Sequence, residues 1–92
     1  MQIPPELEGG TYANFLGVWH TPYEFTLDFA VMQPRQETED GLRIPCRVVS
    51  RVRLPVTLMF EVLRTLNANM TRYESTFGEI KEPEDDGGQT SG

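Results

Sequence analysis

Few side chains in this 92-residue sequence could do chemistry, and the strongest candidates are one histidine, one cysteine, two nearby carboxylates and a run of arginines. His20 and Cys46 could act as base and nucleophile if the fold brought them together. However, neither a glycine elbow nor a helix N-terminus accompanies the thiol. His20 has no second histidine and no cysteine near it, which makes it a poor metal ligand. We therefore expect structural roles for both residues, no metal site and no cofactor, with Cys46 buried on the apolar face of a strand.

The two carboxylates, Glu24 and Asp28, lie in a segment that alternates apolar and polar residues, as strands do. At the rise of a strand they are about 13 Å apart, which is too far for a mechanism that uses paired carboxylates. We expect them to form ion pairs with arginines of a neighbouring strand. Phosphate loops, metal clusters and nucleophile elbows are absent from the sequence, so we predict that the protein is not an enzyme.

The arginines are concentrated in residues 43–54, where Arg47, Arg51 and Arg53 would share one strand face. Such a row could bind an acidic partner, RNA or phosphate, and these three residues are the candidate partner-binding residues. Alternatively, the row is a solvated face balanced by acids. We favour this second interpretation because no aromatic stacking motif is interleaved with the arginines.

Length, composition and charge narrow the class of protein. Ninety-two residues with 38% hydrophobic and 24% charged residues make one small domain. No apolar run approaches the roughly 18 residues of a membrane helix, and no secretory signal is present, so we expect a cytoplasmic protein without a membrane partner. A lone cysteine fits a reducing compartment. The net charge of −6 argues against nucleic acid as a partner.

The order of segments predicts an α+β fold. We expect residues 1–11 to form a flexible leader, 12–80 a single domain and 81–92 a disordered acidic tail. Strands are predicted at 12–20, 24–32 and 43–54, with a polar loop at 33–41 and a late start or edge position indicated by Pro45. This is a small antiparallel sheet of about three strands followed by one long C-terminal amphipathic helix.

That helix, predicted from Pro55 to Phe77, carries a heptad seam. Proline is favoured at the first helical position, and Gly78 suits the left-handed residue that ends a helix. The seam alternates spacings of three and four, and its candidate self-association residues are Val56, Met59, Leu63, Leu66, Met70 and Tyr73. Because about 70 ordered residues bury only a thin core, the seam is either core alone or core plus a dimer contact.

Short blocks in a fixed order also carry a family resemblance. They are 12–15, 20–25, 27–29, 50–52, Pro55, 73–74 and 77–80. Together they resemble the short prokaryotic family called domain of unknown function 3467, over about residues 12–80. One departure is Leu54, where a small or polar capping residue would be expected before the helix. The resemblance implies a small cytoplasmic bacterial or archaeal protein and brings no catalytic residue.

These features favour a non-enzymatic homo-oligomeric interaction or assembly module, a homodimer or larger, that also contacts an unidentified protein partner. The helix seam and a sheet edge would make the self-contact. Two alternatives stay open. One is a chaperone-like holdase that uses an exposed apolar strand face with Phe15 and Trp19. The other is nucleic-acid or anion binding through the arginine strand.

Overall fold

The computed structural model describes residues 1–82, and most of the predicted acidic tail lies outside that range. The elements in chain order are β1 (Phe15–His20), β2 (Glu24–Met32), β3 (Gln36–Thr38), β4 (Gly41–Arg43), β5 (Cys46–Pro55) and α1 (Met59–Phe77). One compact unit, Met1–Met59, holds the strands, and a second, from Phe60 onward, holds the helix. The predicted α+β class, with an antiparallel sheet of three strands and a C-terminal helix, is confirmed.

The main sheet has the order β1-β2-β5, with β2 paired antiparallel on both sides. The turn between β1 and β2 forms where Thr21 and Pro22 interrupt the pattern of apolar residues. The Thr21 N–H donates to the Glu24 carbonyl at 2.9 Å, and the Thr21 hydroxyl accepts the N–H groups of Tyr23 and Glu24. This local bonding fixes the register of the hairpin from His20↔Phe25 to Phe15↔Ala30.

Strand β3 lies in the polar segment predicted as a loop, residues 33–41, and β4 runs from Gly41 to Arg43, the residue predicted to begin the third strand. The two form a second, two-stranded sheet. Gly41, the glycine of the Asp-Gly turn signal, has φ of +119°, which a residue with a side chain rarely adopts. The Thr38 hydroxyl donates to the Gly41 carbonyl at 2.8 Å. These strands were not predicted because each has only three residues and an exposed, mostly polar composition without a buried face.

Strand β5 begins at Cys46, directly after Pro45, which confirms the late start indicated by that proline. It is also an edge strand of the main sheet. Its register against β2 shifts between Phe29↔Ser50 and Ala30↔Val48, so that Val49 has no partner and forms a bulge. One extra residue reverses the alternation of side chains. The face that carries even-numbered residues of β5 before Val49 therefore carries odd-numbered residues after it.

The helix starts later than predicted. Pro55 has an extended backbone, with ψ of 148°, and it is the last residue of β5, opposite Glu24. A 3-10 turn at Val56–Leu58 precedes α1, and its N-cap residue is Pro55, which provides no side-chain cap, while Leu54 still belongs to β5. Pro55 is therefore not the first helical residue, because it still belongs to the sheet ladder. The predicted end is confirmed: Gly78 has φ of +101°, and its N–H donates to the Glu74 carbonyl at 2.9 Å.

Apolar side chains stay largely exposed across the described residues. Ala30, which is 3% exposed, is the buried hydrophobic residue of residues 1–82. Helix α1 contains no buried residue. A folded domain of ordinary composition buries most of its Leu, Ile, Val and Phe side chains, so both the sheet and the helix present uncovered apolar surface.

Candidate functional site

The sheet has two chemically different faces, and the register assigns residues to each because directly opposite residues point to the same side. One, here called the Trp19 face, is centred on Asp28 with Gly17 and Arg51 on either side. The other, here called the apolar face, is centred on Leu27 between Val18 and Val52. The remaining apolar residues of the second face are Leu16, Phe25, Phe29, Val31 and Leu54.

Asp28 organises the Trp19 face. Its carboxylate accepts two hydrogen bonds from Arg51, Nε to Oδ1 at 2.6 Å and Nη2 to Oδ2 at 2.9 Å, and one from the Trp19 indole N–H at 2.9 Å. The residue is only 6% exposed. The Arg51 hydrogen bonds, aided by the Trp19 bond, hold the pKa of Asp28 below its ordinary value despite the opposing effect of burial. In return, the carboxylate raises the pKa of Arg51.

Because Gly17 has no side chain, the Trp19 indole can lie over it. Trp19 is two residues further along β1, and its ring lies over Gly17, 3.7 Å from where a Cβ would stand. From there the indole reaches across to Asp28 on β2. Trp19 nevertheless stays 61% exposed. The result is a flat aromatic surface and a guanidinium that are both held in place by one buried carboxylate.

The prediction that Arg47, Arg51 and Arg53 share a face is wrong. Arg51 and Arg53 lie opposite Asp28 and Thr26 on the Trp19 face, whereas Arg47 lies opposite Val31 on the apolar face. The bulge at Val49 separates them. The sequence could not show it, since a bulge of this kind leaves no signal in the pattern of residue types. Arg51 is also engaged by Asp28, so the predicted basic row is not formed.

The expected cross-strand ion pairs are confirmed for one acid only. Asp28 pairs with Arg51, while Glu24 faces Pro55 and forms no ion pair within residues 1–82. The third partner of this group, Trp19, was not predicted. Its spacing from Gly17 on the same predicted strand face is the signal that could have indicated it.

His20 and Cys46 lie on opposite faces of the sheet and towards opposite ends. His20 packs its ring against Phe25 on the apolar face, with the centroids 5.5 Å apart. Cys46 lies opposite Met32 on the Trp19 face and is exposed, so its predicted burial on the apolar face is wrong. The bulge is again the reason. The geometry excludes a direct contact between thiol and imidazole within one chain.

Three further features bear on the chemistry of residues 1–82: a surface depression, the grouping of metal-binding side chains and the apolar character of the helices. An open depression of about 310 Å³ on the strand-bearing unit is lined by Thr11, Ala13, Phe29 and Ser50, none of which titrates near neutral pH. Residues 1–82 contain no group of His, Cys, Asp and Glu side chains that could hold a metal ion. None of the helices in this range is long and apolar enough to cross a membrane.

The helix seam is an apolar stripe along α1. Leu63, Leu66, Met70 and Tyr73 are about half exposed or more, from 48% to 65%. Val56 belongs to the 3-10 turn before the helix, and Met59 is the first residue of α1. The Tyr73 and Phe77 rings pack on each other with centroids 4.9 Å apart at the C-terminal end of the stripe.

Comparison with protein families identifies the family of this chain. The family model described as a protein of unknown function, DUF3467, matches residues 1–82. The match covers both the leader and the helix, and thus more of the chain than the motif blocks alone. No curated protein and no solved structure matches the chain.

Proposed function

Since the chain belongs to the DUF3467 family, whose function is unknown, we propose a function from its surfaces: it is a cytoplasmic, homo-oligomeric interaction module without catalytic activity. One observation carries this proposal, namely the almost complete lack of buried apolar side chains in residues 1–82. The exposed Cys46 thiol supports a reducing compartment.

The energetic argument starts from the helix seam. Burying one Leu or Met side chain contributes roughly 1.5–3 kcal/mol. Two molecules that associate lose translational and rotational freedom, which costs about 4–15 kcal/mol. The five seam residues that lie in α1, from Met59 to Tyr73, are together enough to offset that cost. A single exposed leucine would not be.

A second copy of the chain is the partner that the seam fits best. Heptad spacing packs knobs into holes only against another helix with matching spacing, and every copy of this chain carries one. Charged residues of α1 all lie outside the seam positions: they are Glu61, Arg64, Arg72 and Glu74. Glu61 and Arg64 are bonded to each other at 3.1 Å. No seam position therefore carries a charge.

The test is a pair of adjacent substitutions that add the same charge. Leu66→Glu places a carboxylate in the seam, while Thr65→Glu places one beside it. By size-exclusion chromatography with light scattering, we expect wild type and Thr65→Glu to be dimers or larger. We expect Leu66→Glu to dissociate at concentrations at least ten times higher. A monomeric wild type at high concentration would exclude the proposal.

A holdase is the second candidate, and the exposed apolar residues of β1 favour it. The predicted pair, Phe15 and Trp19, lies on the Trp19 face and is 47% and 61% exposed. Leu16 and Val18 on the apolar face are 50% and 49% exposed, as a surface that captures unfolded segments requires. A holdase suppresses aggregation of a heat-unfolded client at stoichiometric amounts. If the protein leaves aggregation unchanged while it self-associates, the module without holdase activity stands.

Contact with a further protein is assigned to the Trp19 face. Trp, Tyr and Arg are the residues that most often dominate protein interfaces, and Trp19 and Arg51 are held in place there. Arg53 lies on the same face, opposite Thr26. Nucleic-acid binding through the arginines is not proposed, because Arg47 lies on the other face and Arg51 is already paired.

A further inference from the structure

The main sheet has two edges of very different character, β1 and β5, because β2 pairs on both sides. An edge strand exposes a row of unpaired N–H and C=O groups, which can pair with another chain. Natural sheets protect such edges with prolines, bulges and charged residues. The distribution of these features in this chain indicates which edge is available.

The β5 edge is protected in all three ways. Pro45 precedes it and Pro55 ends it, so that its last position has no N–H to offer. The bulge at Val49 breaks its regular spacing. Arg51 and Arg53 place charge along it.

The β1 edge has none of these features. The segment Phe-Leu-Gly-Val-Trp-His contains no proline and no Lys, Arg, Asp or Glu. Its pairing with β2 runs without a register shift from Phe15 to His20. Leu16, Val18 and Trp19 are about half exposed or more. A regular, apolar and unprotected edge of this kind is a template for a further strand.

The hydrogen bonds show which groups of β1 are unpaired. The Thr21 N–H bonds to the Glu24 carbonyl, so these two residues form a hydrogen-bonded pair. Because such pairs alternate along an antiparallel ladder, Trp19 and Gly17 direct their backbone groups towards β2. Leu16, Val18 and His20 therefore direct theirs away from the sheet.

We propose that β1 pairs antiparallel with β1 of a second copy, across a two-fold axis near Val18, to make a continuous six-stranded sheet. This proposal rests on the proposed self-association and names its surface in the strand-bearing unit. With Val18 opposite its counterpart and Leu16 opposite His20 of the second copy, the outward backbone groups pair with one another. About six hydrogen bonds would form, two for each hydrogen-bonded pair.

Homotypic pairing is favoured over a foreign strand by the composition of β1. A two-fold axis brings the same segment to itself, and no charges in the segment repel each other. The pairing also joins the two apolar faces into one wider surface, since Leu16, Val18 and His20 all lie on that face. Leu16 and Val18 are about half exposed on that face.

Proline substitution tests the edge directly. Val18→Pro removes an outward N–H but no hydrogen bond to β2. Arg53→Pro is the matched control, because the Arg53 N–H also points away from the sheet. The Val56 N–H bonds to the Tyr23 carbonyl, and hydrogen-bonded pairs alternate along the ladder, so the backbone groups of Leu54 and Val52 point towards β2. Light scattering should show that Val18→Pro dissociates at concentrations at least tenfold higher than wild type. Arg53→Pro should not change the mass.

A cysteine cross-link gives a second measurement that does not depend on tolerance of proline. In a Cys46→Ser background, Val18→Cys and Val52→Cys place a thiol on either side of Leu27, one on each edge strand. A short bis-maleimide should join two copies through Val18→Cys and not through Val52→Cys.

The outcomes separate this proposal from the one on which it rests. Wild type that stays monomeric overturns both. The β1 contact alone is overturned if Leu66→Glu dissociates the oligomer, Val18→Pro leaves it intact and Val18→Cys gives no cross-link. Loss of mass in Val18→Pro together with cross-linking through Val18→Cys supports it. Cross-linking of Val18→Cys to another protein in its place would identify a foreign strand and overturn the two-fold contact.

Discussion

At the scale of single residues, Asp28 connects all three strands of the main sheet through its side-chain hydrogen bonds. It is a buried carboxylate on the central strand, and it fixes side chains from both neighbouring strands, Trp19 of β1 and Arg51 of β5. Leaving a buried acceptor without its donors is costly, so the three residues act as one unit. They tie the two edges of the sheet to its centre on one face.

This unit predicts acid sensitivity. The pKa of Asp28 is lowered in the folded state, chiefly by the Arg51 hydrogen bonds, from an ordinary value of 3.8. Because the pKa of Asp28 is lower in the folded state, its ionised carboxylate contributes its full stabilisation at pH values well above 3.8. That contribution is lost as the pH falls through the folded pKa. Urea unfolding, followed by fluorescence of Trp19, the one tryptophan, should therefore show stability falling below about pH 4.

The variant Asp28→Asn should remove much of this pH dependence and shift the emission of Trp19. Glu24→Gln is the matched control, because Glu24 lies on the same strand and face without an ion pair in the described residues. It should retain the wild-type pH profile. Equal profiles for wild type and Asp28→Asn would show that Asp28 contributes no pH-dependent stability.

At the scale of elements, the sequence predicted the strands and the helix where their patterns were long and regular. The alternation in Glu24–Met32 matched β2 without error, and Gly78 marked the end of α1. The bulge at Val49 was not predictable, because it depends on how β5 pairs with β2 and not on residue type. The bulge determines which side chains share a face, since it separates Arg47 from Arg51 and places Cys46 on the Trp19 face.

The end of the helix gives a prediction about backbone conformation. Gly78 has φ of +101°, and nothing lies within 4 Å of the place where a Cβ would stand. Gly78→Ala is therefore strained by its backbone and not by crowding, at a cost of about 1–2 kcal/mol. We expect urea unfolding followed by helical circular dichroism to show this loss.

Gly9→Ala is the control for that measurement. Gly9 also has open space around it, but its backbone lies outside the region that favours glycine. Its substitution should change stability by less than about 0.5 kcal/mol. Equal stability of Gly78→Ala and Gly9→Ala would contradict a conformational role for Gly78.

At the scale of the whole molecule, the sequence predicted an incomplete core and the structure shows its extent. About 70 ordered residues were expected to bury little, and among residues 1–82 only Ala30 is a buried hydrophobic residue. The helix seam consists largely of exposed side chains, whereas the apolar face of the sheet is largely exposed along its edge strands and half-buried along β2. Under the proposed self-association, the chain gains stability to the degree that a second copy covers those surfaces.

Thermal stability should therefore depend on protein concentration. For a dimer that unfolds to separate chains, a tenfold higher concentration adds about 1.4 kcal/mol of stability. In a domain of this size each kcal/mol raises Tm by roughly 4–8 °C. Calorimetry over a hundredfold range should thus show Tm of wild type and Thr65→Glu rising by several degrees per decade. Leu66→Glu should melt lower and, where it is monomeric, at a constant Tm. A wild-type Tm that does not change with concentration would mean that the exposed apolar surfaces contribute nothing through self-association.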